Sequence, residues 1–234
     1  EIGIPAIVVF LNKVDMLKYL DIVAVATICD VVPLTGVNRS LVHHGLAKIN
    51  KNPILGYKIL LGDHIGSVDT WKVGFCLGPF LNVSGRFGHG ERTVEVMMTK
   101  DEKSMKNLAV TLGIMNAERK QIEKEATEEG LLQVKDDDEV LVLSNLGLES
   151  EWHEGILGIM AGKVKDKYQK PTCVISWNNE IGKGSFRSTP NFHVGNFIKA
   201  AVNKNILIRG GGHAMAGGVS VHLEKWNEYL GFLK

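Results

Sequence analysis

Cysteine is scarce in this sequence: Cys29, Cys76 and Cys173 sit far apart, each in an apolar run. An odd number at such spacing excludes a disulfide framework and a cysteine-rich zinc site, and fits buried free thiols in a reducing compartment. No apolar run reaches the roughly 20 residues that a membrane-spanning helix needs, so no membrane partner is predicted. The amino terminus shows neither the basic region nor the small-residue cleavage site of a secretory signal, which makes the cytoplasm the predicted location. Net charge is also nearly absent, 27 Lys+Arg standing against 26 Asp+Glu. Affinity for nucleic acid or phosphate would therefore have to come from a local patch. Missing too is a Gly-x-x-x-x-Gly-Lys-[Ser/Thr] nucleotide loop, since Gly182-Lys183 has Trp177 where the first glycine should stand.

What the chain has is glycine, concentrated in Arg209-Gly-Gly-Gly-His-Ala-Met-Ala-Gly-Gly218, more than core packing is expected to explain. Ordered glycine is entropically costly, so this density points to backbone at φ > 0 or to something lying too close for a Cβ. Phosphate is such an object. Exposed turn amides followed by a short helix start near Ala214 would cradle it, with His213 and Arg209 adding charge or donors. A tight strand-to-strand turn is the alternative.

With 234 residues and 44% hydrophobic content, the chain can form one large domain or two small ones. Ala6 to Leu11 reads as a buried strand, and the Asn12-Lys13-Val14-Asp15 that follows resembles the guanine-reading segment of translational GTPases. Leu17 to Leu34 begins as an amphipathic helix and turns wholly apolar around Asp30, whose carboxylate would need a metal or a helix N-terminus to meet it. Gly36 to Ser40 opens a helix running to about Ile49. His43 and His44 diverge by about 100° on it and read as surface. Phe75 to His89 carries Asn82, Ser84, Gly85 and Arg86 in what reads as one glycine-flanked loop, able to bring a guanidinium and a hydroxyl to phosphate. Asp101 to about Gln133 is the longest helical pattern, its run of Glu and Lys predicting a solvated face. From Glu139 onward strands and helices alternate as in an α/β domain. Trp152 and His153 there could be core and cap, or could line a cleft. Ser185, Arg187 and Ser188 gather beside Gly184 as a second candidate phosphate seat. Three such loops in one chain suggest a groove for a polyanion.

Taken together, Tyr19 to Leu34, Asn38-Arg39, Leu77-Gly-Pro-x-Leu-Asn-x-x-Gly-Arg86, Asn116-x-Glu-Arg119, Trp152-His-x-Gly155, Lys170-Pro-Thr172, Gly184-Ser-x-Arg-Ser188 and Gly210-Gly-Gly-His213 resemble the RecJ family of single-stranded-DNA-specific exonucleases, within the DHH phosphoesterases. The resemblance implies an α/β fold: the C-terminal part of a DHH catalytic domain over 18–100, a connecting helix over 101–135 and a DHH-associated domain over 136–234, with 1–17 as a foreign-looking GTPase-like segment. It implies 5′-to-3′ hydrolysis of single-stranded DNA in repair and recombination, two Mn2+ or Mg2+ ions, and other DNA-repair proteins as partners. Asp30 matches the family's final metal-ligand aspartate and stands as catalytic and metal residue. Arg86, Ser185, Arg187, Gly211, Gly212 and His213 match substrate positions, and His153 matches a cleft position.

Departures from the pattern are specific. The Asp-x-Asp segment, a further aspartate and the Asp-His-His triplet are not found, and His43-His44 and Asp63-His64 do not replace them. Phe80 and Phe186 stand where the family usually has arginine and glycine, and no oligonucleotide-binding domain follows the glycine run. These departures lead to an expectation of impaired activity. The alternative is a non-catalytic single-stranded nucleic-acid-binding remnant; a GTPase fragment rests on Asn12 to Asp15 alone.

Overall fold

The computed structural model describes residues 16–135 and 137–233. The Ala6–Leu11 strand and the Asn12–Asp15 segment expected from sequence lie outside them, as does Asp136. The chain divides into two compact units, Glu1–Asn116 and Ala117–Lys234, and the division falls inside its longest helix.

Among its described residues the first unit is helical. It contains α1 (Leu20–Cys29), α2 (Gly36–Lys51), α3 (Leu55–Leu61) and α4, made of Thr70–Lys72, Val73–Leu77 and Gly78–Arg86 in succession, with α5 (Glu91–Met98) and the first half of α6 (Glu102–Leu131). The middle segment of α4 is wound as a π-helix. Its core gathers Val25, Ile49, Tyr57, Leu77, Leu81 and Met105. Gly45 lets α2 press onto α1, because a Cβ there would lie 2.2 Å from the Leu20 carbonyl oxygen. One charge is carried inward by this packing. Asp21 is fully buried, and Lys48 Nζ reaches it at 2.8 Å while also donating to the Lys18 carbonyl.

The second unit is built on a five-stranded sheet: β1 (Leu141–Ser144), β2 (Thr172–Asn178), β3 (Ile181–Arg187), β4 (Arg209–Gly212) and β5 (Ala216–His222), in the order β1-β2-β3-β5-β4. The β1-β2 pair is parallel and the others antiparallel. One face packs against α7 (Leu157–Tyr168) through Val174, Leu157 and Met160. The other packs against α8 (Val194–Asn203) and α9 (Trp226–Leu233) through Ile175, Phe186, Val219, Ile198 and Tyr229. That two-sided burial explains the consecutive apolar residues Cys173, Val174 and Ile175 at the centre of β2.

The acidic run on α6 is not purely a solvated face. Glu123 is buried and meets Lys163 at 2.8 Å, and Glu129 accepts the Trp152 indole N–H at 2.7 Å. These carboxylates tie the second half of α6 to the α7 side of the sheet.

Lys48→Met leaves the Asp21 carboxylate buried without a cation. It is expected to destabilise the first unit by about 3 kcal/mol in urea denaturation, with much of that loss recovered when Asp21→Asn is added. A loss below about 1 kcal/mol would show that Asp21 behaves as a surface charge.

Candidate nucleic-acid interface

Side chains alternate between the two faces of a strand. On β3, Phe186 enters the core beneath α8, while Gly182 and Gly184 press against Ile175 on the same side. Lys183, Ser185 and Arg187 consequently point to the opposite face. The register continues the pattern across the sheet: Lys183 stands opposite Ser220, Ser185 opposite Gly218 and Arg187 opposite Ala216. On the edge strand, Arg209 faces Ser220 and Gly211 faces Gly218. Three rows result: Lys183–Ser220–Arg209, then Ser185–Gly218–Gly211, then Arg187–Ala216 beside the hairpin turn that carries His213. Successive rows are two residues apart, about 6.7 Å. Helix α7 shields the β2 and β3 end of this face, whereas β4 is exposed along its whole length.

Arg187 is the electrostatic focus. Its Nη1 donates to Ser185 Oγ at 3.1 Å and to the Phe186 carbonyl at 3.0 Å. The guanidinium is half-buried against the first turn of α7, where a Cβ on Gly158 would lie 2.8 Å from Nη2. Burial lowers its pKa by making the charged form costly. Among the described residues no carboxylate pairs with it to offset that cost. A partly desolvated cation without an anion, at the N-terminal end of a helix, is suited to receive phosphate.

The structure resolves the glycine run by register. Gly210, Gly212 and Gly217 face inward, where added Cβ atoms would meet Ile198, the Ala216 carbonyl and Ile198 again at 2.6, 2.3 and 2.4 Å. Packing therefore requires three of the five glycines, contrary to the expectation that packing could not account for them. Gly211 and Gly218 are different. A Cβ at Gly211 would have nothing within 4 Å, and one at Gly218 only a carbonyl at 3.9 Å. None of the five adopts positive φ. Their bareness leaves an open strip between the two cationic rows.

No helix starts at Ala214. The run forms the β4-β5 hairpin, and the carbonyls of His213 and Ala214 accept the N–H groups of Gly195 and Val194 at 3.0 Å each. The amides at the start of α8 are thus spent on the turn. His213 is exposed, its Nδ1 accepting from the Met215 N–H at 3.3 Å. Trp152 is buried in the core, and the exposed His153 caps the turn ahead of α7, its Nδ1 accepting the Gly155 N–H at 3.0 Å.

In the first unit, Asp30 is not buried. It is the exposed C-cap of α1, which removes the helix-N-terminus reading. A carboxylate at the negative end of a helix gains nothing from the helix. Val31 follows with φ 55°, a strained value for a β-branched residue. Asp30 is free to meet a cation, yet no group of three or more His, Cys, Asp or Glu that could hold one occurs among the described residues. One aspartate does not fit the donor set of a divalent-ion site. Asn82, Ser84, Gly85 and Arg86 lie on α4 rather than in a loop, and Ser84 is buried against Thr93 at 2.9 Å, which takes its hydroxyl away from any phosphate.

The second unit thus brings together Ser185, Arg187, Gly211 and His213, with Gly212 turned inward. Sequence reasoning does not find Lys183, Ser220, Gly218 or Gly158. Period-2 counting from Ser185 reaches Lys183, but Ser220 and Gly218 need the register, and Gly158 lies on another element.

The chain is similar to one domain family and to several proteins of one kind. Residues 137–234 match the DHHA1 domain family. The chain is 30% identical over 220 residues to the single-stranded-DNA-specific exonuclease RecJ of Haemophilus influenzae, covering 90% of this chain and 38% of that protein. It is 33% identical over 215 residues to RecJ of Bacillus subtilis, covering 88% of this chain and 27% of that protein. Its fold superposes on the crystal structure of RecJ in complex with Mn2+ from Thermus thermophilus with a TM-score of 0.83 at 28% identity, over 93% of this chain and 32% of the other. A Mg2+ complex of the same protein matches with the same TM-score, 0.83. The chain therefore spans well under half the length of these relatives.

Gly158→Ala tests the contact that seats Arg187. Because the obstructing atoms are the tip of a flexible side chain and alanine favours the helix, stability should change by less than about 1 kcal/mol in thermal unfolding. The Arg187 side-chain resonances should nevertheless shift. A large loss of stability would mean that α7 itself, and not the guanidinium, meets the new methyl.

Proposed function

The chain belongs to the RecJ family, and we propose that the open face of its second unit holds the sugar-phosphate backbone of single-stranded DNA for 5′-to-3′ exonucleolytic hydrolysis. The observation that carries this reading is Arg187, a half-buried guanidinium held by Ser185 with no carboxylate paired to it among the described residues. A strand phosphate would supply the missing anion, with the Ser185 hydroxyl and the exposed imidazole of His213 as further donors. Bare backbone at Gly211 and Gly218 lets the strand approach without meeting a side chain.

Hydrolysis in this reading needs a divalent pair, Mn2+ or Mg2+, which would activate water and stabilise charge at phosphorus. Asp30 would contribute one oxygen ligand and Arg86 a strand contact; the remaining donors are not found among the described residues. The chain by itself is accordingly read as a strand-holding module with little or no nuclease activity. We assign it to the cytoplasm alongside other DNA-repair proteins, where its three free cysteines stay reduced.

Fluorescence anisotropy with 5′-phosphorylated, 3′-labelled oligo(dT) tests the assignment. Arg187→Ala should weaken binding at least tenfold, and should flatten the salt dependence by about 0.7 in log–log slope, the share of one phosphate on a single strand. Unchanged affinity would overturn the reading. Manganese-dependent nucleotide release by the chain alone, abolished by Asp30→Ala, would instead overturn its inactivity.

A further inference from the structure

We infer that the outer row of the same face, Lys183–Ser220–Arg209, is a second phosphate seat, so that the unit grips two successive phosphates of one strand and is held in check by Glu154. This inference rests on the reading of the face as a strand interface and adds a site to it.

Beside that row the surface opens into a recess of about 430 Å³, lined by Glu154, Lys183, Ser185, Arg209, Gly218 and Ser220. Arg209 is exposed, and its Nε donates to Ser220 Oγ at 3.4 Å, the one side-chain hydrogen bond it makes among the described residues. The guanidinium is therefore oriented along the sheet and otherwise unspent. Lys183 Nζ lies 2.7 Å from a Glu154 carboxylate oxygen, with the two side chains 45% and 52% exposed. At that exposure the pair contributes little to stability, so an arriving phosphate can take the ammonium at small cost.

The spacing favours two seats over one broad one. Arg187 and Lys183 are four residues apart on β3, so the outer rows stand about 13 Å apart with the Ser185–Gly218–Gly211 strip between them. A guanidinium fork cannot serve one anion from both ends of that span. The Arg187 guanidinium leans back onto Ser185 Oγ, which brings its charge inside that span toward the outer row and within reach of successive phosphates of one strand, the linking sugar lying over the bare glycines. A mononucleotide would occupy the Arg187 end alone.

Glu154 gives the second seat its character. It places a negative charge at the recess and occupies Lys183 whenever the recess is empty. A strand long enough to reach the recess must displace this carboxylate, which lowers its affinity.

The test compares thymidine 5′-monophosphate with the 5′-phosphorylated dinucleotide pTpT by chemical-shift titration of the full chain. Arg209→Ala and Lys183→Ala are each expected to weaken pTpT about tenfold, the effect of one charge-assisted hydrogen bond, and to leave the mononucleotide as in the wild type. Glu154→Gln is expected to tighten pTpT several-fold without affecting the mononucleotide, a gain that misfolding cannot mimic. Should Arg187→Ala weaken both ligands while the three outer variants bind pTpT as the wild type does, the second seat is wrong and the first stands. Should Arg187→Ala change neither ligand, the strand interface itself fails.

Discussion

The open face of the second unit is organised by a close approach at Gly158: the first turn of α7 lies so near β3 that the tip of the Arg187 side chain occupies the space next to that glycine. The consequence is electrostatic. The cation is drawn partly out of water, fastened at Nη1 by a hydroxyl and a carbonyl, and left without a carboxylate partner among the described residues. Neutral acceptors orient a guanidinium without discharging it, so its field remains available to an incoming anion. Every other feature of the face, from the rows of the register to the bare strip, takes its meaning from that unspent charge.

Much of this is legible in the sequence, and the misreadings share a cause. The α/β alternation after Glu139 can be followed because β1, β2 and β5 carry valine, isoleucine or threonine and the helices between are amphipathic. Asn82 to Arg86 reads as a loop because Asn, Ser and Gly are poor helix formers. Tertiary packing outweighs that preference here, since Leu81, Val83 and Ser84 are buried and Thr93 takes the Ser84 hydroxyl. At Arg209 to Gly218 the difficulty is different. Five glycines look alike in a sequence, and only the strand register separates the three that α8 and the hairpin demand from the two that face outward.

The first unit shows the same limit from the other side. Asp30 sits in an apolar segment, and an apolar segment suggests burial. Helix α1 is hydrophobic around its whole circumference, so composition cannot say which positions face inward; the geometry puts Asp30 at the exposed end. There it meets the unfavourable pole of the helix and is followed by a valine at positive φ. Two local penalties thus stand side by side, with no packing gain at either residue, and a composition-based reading anticipates neither.

The edge strand meets two demands at once. β4 ends the sheet with its outward backbone unpaired, and an open edge invites association with other strands. Bulky apolar residues there would make that worse, and a helix or loop laid over the edge would close the face. Glycine does neither: it offers no apolar surface to a foreign strand, and Arg209 and His213 at its two ends repel a like edge when charged. The same choice that withholds apolar surface from the edge keeps the floor of the face bare, so both demands are met by one run of residues. Adding side chains to strengthen β4 as a strand would raise its β-propensity and fill the channel at the same positions.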